Sequence, residues 1–357
     1  MSREGNDMRA LMRKAALSIL ACLSLVGAVT AGAGTASADL RPPHSAPLRE
    51  FAPLNQPGPR LSVPAADLAA ALRCTPDVTH ARGEVALFVA ATALDPQQFS
   101  WNWLPALDRI GRPYCSVALP GHGLGDIQVS AEYVVSAIRH VNRISGRKVA
   151  VIGHSQGGLE PRFALRFWPD TRRMVSDYVS LGTPNHGSLV SAANCAGGAC
   201  PPAFRQMTPD ADFIAALNSR QETFRGISYT NVYTTLDQYV TPNADNTGSS
   251  SLHSGDGAIT NVSLQSICPH NTSEHIAVGT SDALAYALTM DALTHTGPAR
   301  PARISAAVCD ETFMPGVDPA GYEQNLAELN ATLNANWAAS PAVTAEPALK
   351  PYVYARR

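Results

Sequence analysis

Apolar residues in this chain fall into short runs at 85–89, 114–119, 149–152, 175–181, 227–234 and 262–267, each bounded by polar residues, Gly or Pro. Runs of this length, rich in β-branched side chains and without polar alternation, predict strands buried on both faces. Between the second and third runs the period changes. Val134, Ile138, Val141 and Ile144 recur at three- and four-residue intervals between Ser130 and Gly146. That spacing predicts a helix with one apolar stripe, capped by Ser130 and stopped by Gly146. Further helices are predicted over 159–168, stopping before Pro169, over 281–293 after the last run, and over about 321–337 in the tail. Six strands separated by helical crossovers imply a mostly parallel sheet with helices on both faces, an α/β fold, and no internal repeat is visible.

The ends set the compartment. Arg3, Arg9, Arg13 and Lys14 precede an apolar stretch at 15–29, followed by small residues ending in Ala36-Ser37-Ala38 before Asp39. These are the charged, apolar and cleavage regions of a secretory signal peptide over 1–38, and no second long apolar run follows to hold the mature chain in a bilayer. Lipid attachment at Cys22 fits less well, because Leu20 suits that spacing poorly and the apolar stretch continues past the cysteine. Residues 39–60, with Arg41-Pro42-Pro43 and Gln56-Pro57-Gly58-Pro59, predict an extended arm that carries no chemistry. Residues 61–357 then form one domain, including a C-terminal helix and tail from about 315.

The 45% hydrophobic content of the 357 residues is enough for one large core. A net charge of -2 with 16% charged residues leaves no basic field for nucleic acid and no polybasic membrane patch. Cys22 leaves with the signal segment, and the remaining Cys74, Cys115, Cys195, Cys200, Cys268 and Cys309 form an even set in an oxidising compartment. Three disulfides are expected. Cys195 and Cys200 enclose only Ala-Gly-Gly-Ala and should pair locally, leaving the other four to close two larger loops. A zinc site would need a second close Cys pair or closely spaced histidines, and neither is nearby. No metal and no cofactor are expected.

The candidate chemistry begins at Gly153-His154-Ser155-Gln156-Gly157, between the run at 149–152 and the helix from 159. A strand, a sharp turn and a helix in that order make a nucleophile elbow, which lifts the serine hydroxyl above the sheet. Ligands of open parallel sheets bind beyond the carboxyl ends of the strands, so partners for Ser155 should follow later runs. Asp237 follows 227–234, and His270 and His275 follow 262–267, giving the chain order Ser, Asp, His. His275 is the better base because it lies where the loop turns into the next helix. His253 precedes the last strand and His295 follows the helix, while Asp245 and Asp256 sit in a Ser-, Asn- and Gly-rich stretch and read as turn residues. Asp237 would fix the His275 tautomer and stabilise its imidazolium, and general-base catalysis of this kind contributes on the order of a hundred- to ten-thousand-fold. The oxyanion donors are expected at the backbone N–H of Gln156 and in the loop after the first run, at Ala91 or Thr92. Pro120-Gly121-His122-Gly123 follows the wrong strand for that role, and His154 is expected to be a packed or hydrogen-bonded neighbour.

Further along the chain, Pro96-Gln97-Gln98-Phe99 with Asn102-Trp103, Gln128-Val129 with Glu132-Tyr133, Ser155-Gln156-Gly157-Gly158-Leu159 and Lys350-Pro351-Tyr352 extend the pattern. In this order they resemble the Candida antarctica lipase B family of secreted α/β hydrolases, from about Leu61 onward. The resemblance implies a triad of Ser155, Asp237 and His275 and oxyanion donors at Gln156 and Ala91. It also implies pairing of Cys74 with Cys115 and of Cys268 with Cys309, with Cys195–Cys200 an addition to the family pattern. The family's Gly-Thr-Gly loop, whose threonine hydroxyl is a third oxyanion donor, reads Ala90-Ala91-Thr92 here, so either Thr92 substitutes or that donor is missing. The Gly-His-Ser-Gln-Gly elbow and Gly182-Thr183-Pro184-Asn185 are closer to bacterial lipases. They put Asn185 where the fungal site has an acid near its acyl pocket, and Gln206 aligns with another acyl-pocket residue. The expected protein is a secreted, monomeric lipase or carboxylesterase acting on small ester or lipid substrates, with transient contact at a lipid–water interface. An acyltransferase or polyester hydrolase with the same triad is the alternative, and a binding protein on an unused hydrolase fold a more distant one. The segment 188–225 should border the substrate mouth.

Overall fold

The computed structural model describes residues 50–356, so the signal peptide expected over 1–38 and the first part of the expected Pro-rich arm lie outside the described residues. One sheet organises the domain. Its strands are β1 (Leu72–Cys74), β2 (Val85–Val89), β3 (Tyr114–Val117), β4 (Val149–His154), β5 (Val175–Leu181), β6 (Ser228–Tyr233) and β7 (Ala258–Ser263), in the order β1-β3-β2-β4-β5-β6-β7. Every neighbouring pair is parallel except β1 against β3. The chain steps outward from β2 to β3, then crosses back past β2 to β4. That reversal makes the β2/β4 junction the topological switch point, and the carboxyl ends of these two strands flank the crevice such a reversal opens.

Side chains of β2 alternate between two cores, as a period of two requires. Val85, Leu87 and Val89 pack with Val134, Ile138 and Val141 of the Ile127–Ser145 helix and with Phe163 of the Leu159–Phe167 helix. Ala86, Phe88 and Ala90 pack on the other face with Trp103 and Leu107 of the Trp103–Arg109 helix and with Leu284 and Leu288 of the Ala283–Thr294 helix. The arm residues 50–60 form no helix or strand of their own. They are tied to the domain by Arg166 Nη2 donating to the Ala52 carbonyl (2.6 Å) and Trp168 Nε1 donating to the Pro59 carbonyl (3.0 Å).

Several boundaries differ from expectation for local reasons. The first long helix begins at Ile127, four residues early, because the Asp126 side chain caps it by accepting from Gln128 N, while Ser130 lies buried in its first turn. Gly146, at φ 64°, ends it as predicted. The run at 262–267 is not one strand. Its first two residues close β7, and Ser263 then caps a helical turn, Leu264–Ile267, by accepting from Ser266 N. β7 is an edge strand in which Thr260 and Asn261 are only half-buried, so its sequence lacks the apolar run that marks interior strands. The helix expected at 281–293 is Ala283–Thr294, capped by Asp282, and a separate short helix, His275–Thr280, precedes it. β1 went unpredicted, being three residues with one charge, and it is stapled where Cys74 faces Cys115 of β3. Disulfides join Cys74–Cys115, Cys195–Cys200 and Cys268–Cys309. Two of them span 41 residues each, a loop length for which the chain-entropy account gives roughly 4 kcal/mol of stabilisation.

Candidate active site

Ser155 sits at the end of β4 with φ 55°, a left-handed conformation that a non-glycine residue holds only when its surroundings impose it. The glycines on either side impose it by leaving no room for alternatives. A Cβ on Gly153 would lie 2.3 Å from the Gly157 carbonyl oxygen, and one on Gly157 would lie 2.3 Å from the Val89 carbonyl oxygen at the end of β2. The elbow is therefore wedged against the strand next to it. The turn Ser155–Gly158 then leads into the Leu159–Phe167 helix, and the first N–H groups of such a turn have no acceptor within it.

His275 opens the His275–Thr280 helix, capped by Glu274, whose carboxylate accepts from Ile276 N (2.9 Å) and Ala277 N (3.0 Å). Its Nδ1 lies 2.8 Å from Asp237 Oδ2, and the two side chains are 4% and 0% exposed. Asp237 Oδ1 accepts from Tyr239 N (2.9 Å) and Val240 N (2.7 Å), so both carboxylate oxygens are occupied and the side chain is fixed. With Nδ1–H donated to the carboxylate, Nε2 is left as the basic nitrogen. Gly182, at φ 62°, keeps the space beside this pair open: a Cβ there would stand 3.2 Å from His275 Nδ1. Ser155 and His275 line the same cavity of about 240 Å³. His253 and His270 are absent from its walls, and among the described residues no cluster of His, Cys, Asp or Glu could hold a metal ion.

A buried chain of hydrogen bonds runs beneath the site. Ala91 N donates to Gln98 Oε1 (3.0 Å), Gln98 Nε2 donates to His154 Nδ1, and His154 Nε2 donates to the His275 carbonyl (3.0 Å). Burial pushes His154 down to about 3, so its ring is neutral, and the chain fixes which nitrogen carries the proton. Gly279 admits the ring, since a Cβ there would fall 2.2 Å from it. This arrangement changes one expectation. The N–H of Ala91, the oxyanion donor implied by resemblance, is committed to Gln98, whereas the N–H of Thr92 has no hydrogen-bond partner among the described residues. The Thr92 hydroxyl is also engaged, donating to Gln156 Oε1 (2.7 Å). Gln156 Nε2 donates in turn to the Gly123 carbonyl (2.7 Å) and to Glu160 Oε1 (2.8 Å). Glu160 is fully buried, and burial pushes its carboxyl up to about 8, so it sits there as a neutral acid at neutral pH. The Pro120-Gly121-His122-Gly123 turn thus contributes a carbonyl that orients Gln156, while His122 does not line the cavity.

Asn185 and Gln206 do not border the cavity, contrary to the positions implied by resemblance. Both are fully buried, with the nitrogen and the oxygen of each amide hydrogen-bonded within the protein. Asn185 Nδ2 donates to the Ser250 carbonyl (2.9 Å) and its Oδ1 accepts from Arg162 (3.2 Å). Gln206 accepts from Ile127 N (2.7 Å) and donates to Asp126 (2.7 Å), bracing the start of the Ile127–Ser145 helix. The cavity wall comes instead from Val190, Ser191, Phe204 and Met207 in the segment expected at the mouth, which folds as the short helices Leu189–Cys195, Pro202–Gln206 and Asp212–Leu217. Leu333, Asn334 and Trp337 of the Tyr322–Ala339 helix complete it, with the Trp337 ring edge-on to Phe204 at 4.4 Å. That helix was expected, but not its place in the site. The spacing of Leu326, Leu329, Leu333 and Trp337 marks an apolar stripe, and only the tertiary structure says what it covers.

A serine held in this strained turn at the sheet's switch point, with an Asp–His pair delivered beyond β6 and β7, defines an α/β-hydrolase. No protein-family profile matches the sequence. The chain is 30% identical over 300 residues to lipase B of Pseudozyma antarctica, spanning 82% of this chain and 86% of that one. It is also similar to the crystal structure of Aspergillus fumigatus lipase B, with a TM-score of 0.77 and 26% identity over 87% of this chain and 77% of that one. The chain belongs to the lipase B family and is a carboxylic ester hydrolase of the lipase and esterase type.

Proposed function

We propose that this protein is a secreted serine ester hydrolase, a lipase or carboxylesterase, that works through an acyl-enzyme on Ser155. The observation that carries the reading is the buried Asp237–His275 pair, 2.8 Å apart, whose histidine shares one cavity with the strained Ser155. A serine hydroxyl is barely ionised at neutral pH, so Ser155 Oγ attacks the ester carbonyl as His275 Nε2 takes its proton. The carbonyl oxygen becomes an oxyanion and accepts from the N–H groups of Gln156 and Thr92, each donor being worth on the order of a hundred- to a thousand-fold. Collapse breaks the ester bond, and His275 returns its proton to the departing alcohol oxygen. Water, deprotonated by His275, then releases the acid and restores the serine. Asp237 stays ionised throughout and stabilises the imidazolium.

The six paired cysteines favour an oxidising destination, and no described helix is long and apolar enough to cross a membrane. Leu189 and Tyr239 are 57% and 43% exposed; Tyr239 lines the cavity, and Leu189 precedes its wall residue Val190. This apolar rim suits transient contact with a lipid–water interface. Ser155→Ala should abolish p-nitrophenyl ester hydrolysis while leaving the circular dichroism spectrum intact, and retained turnover would remove Ser155 from the mechanism.

A further inference from the structure

The cavity above Ser155 is not uniformly apolar. Ser191 lines it from the Leu189–Cys195 helix, is 5% exposed, and has a side chain with no hydrogen-bond partner among the described residues. A serine inside a helix ordinarily donates to the carbonyl four residues earlier. That carbonyl, on Gly187, is taken here by the Ser249 hydroxyl. The other polar side chains of the same helix are engaged: Ser188 Oγ donates to the Tyr239 carbonyl (2.7 Å), and Asn194 Nδ2 donates to the Val190 carbonyl (2.9 Å). Asn334, exposed on the Tyr322–Ala339 helix, also lines the cavity and also has no side-chain partner. With no partner among the described residues, the Ser191 hydroxyl can be satisfied only from the cavity side, by water or by a polar group of a bound molecule. We propose that Ser191, assisted by Asn334, forms a polar subsite that binds a free hydroxyl carried by the substrate outside the scissile ester group, so that hydroxylated esters are the preferred class. Ser191 both donates and accepts, and the Asn334 amide does the same, so either can meet the proton or a lone pair of that hydroxyl.

The inference rests on the reading of Ser155 as the nucleophile, and it is tested by ratios that this reading alone does not move. The hydroxyl can sit on the alcohol side, as in a partial glyceride, or on the acyl side, as in a hydroxyacyl ester. Two matched pairs of substrates separate these sources: glyceryl against propyl octanoate, and ethyl hydroxyoctanoate against ethyl octanoate, each followed by acid release. For the full-length protein, kcat/KM should favour the hydroxylated member of one pair. Ser191→Ala should lower that preference about tenfold, as expected for one hydrogen bond lost to the substrate. Ser191→Thr, which keeps the hydroxyl, should retain most of the preference, and Asn334→Leu should lower it about threefold. Ratios within twofold of wild type for both pairs in Ser191→Ala would overturn the subsite, whatever the absolute rates. Absence of serine-dependent turnover on all four esters in the wild type would instead overturn the catalytic reading.

Discussion

The floor and the roof of this cavity are held by different forces. The floor consists of the ends of β2, β4 and β6 with the start of the His275–Thr280 helix, and it is fixed by backbone-directed hydrogen bonds and by glycines that admit no Cβ. The roof consists of the short helices Leu189–Cys195 and Pro202–Gln206 and the Tyr322–Ala339 helix, meeting through side-chain contacts such as Trp337 on Phe204. Chemistry needs reacting groups placed to a fraction of an ångström, whereas fitting an acyl chain needs only volume and polarity of about the right kind. The difference predicts steep losses of turnover from small changes in the floor and shifts of substrate preference from larger changes in the roof.

Asp237→Asn probes the floor most severely. It keeps the shape of the side chain but presents an amide to His275 Nδ1, so the wrong tautomer is favoured and kcat should fall on the order of 10⁴-fold. A stopped assay with p-nitrophenyl butyrate, checked against the thermal melt, reads this directly. His154→Phe tests whether the buried chain from Ala91 to His275 positions the oxyanion loop and the base relative to each other. We expect kcat to fall roughly tenfold to a hundredfold with KM within a few fold, because the lost bonds orient catalytic groups without touching substrate. His154→Gln, which can still bridge polar partners, should recover part of the loss, and equal defects in both variants would reduce His154 to packing. In the roof, Trp337→Ala opens the wall against Phe204 and should move the optimum acyl length upward, with kcat/KM on the longest esters rising severalfold relative to the shortest. A chain-length series checks it, and a uniform loss along the series would mean that the roof also governs the chemistry.

The same division explains what the sequence disclosed. The elbow was legible because Gly153, Ser155 and Gly157 between a strand and a helix state a local geometry, and Asp237 and His275 followed from chain order and from the strand ends. The donor in the β2 loop was not fully legible. Whether Ala91 or Thr92 offers its N–H depends on Gln98, whose side chain reaches back seven residues to take one of them. Asn185 and Gln206 were placed by correspondence of position, which does not say that a buried amide will turn away from the cavity to satisfy Ser250, Arg162, Ile127 and Asp126. The edge strands were harder to read for a simpler reason: β1, short and polar, escaped, and β7, half-buried, was expected four residues too late because its start has no continuous apolar run. The roof helices Leu189–Cys195 and Pro202–Gln206 have seven and five residues, too few for a period to be read.

The central claim is that Ser155 is an activated nucleophile rather than a serine in an ordinary turn. Incubating the protein with a fluorophosphonate probe and mapping the adduct by peptide mass spectrometry tests this most directly, since only a serine activated by its base reacts. The account predicts one stoichiometric adduct, on the peptide containing Ser155, suppressed in Asp237→Asn. An unmodified Ser155 in the folded protein, or an adduct on another serine, would contradict it.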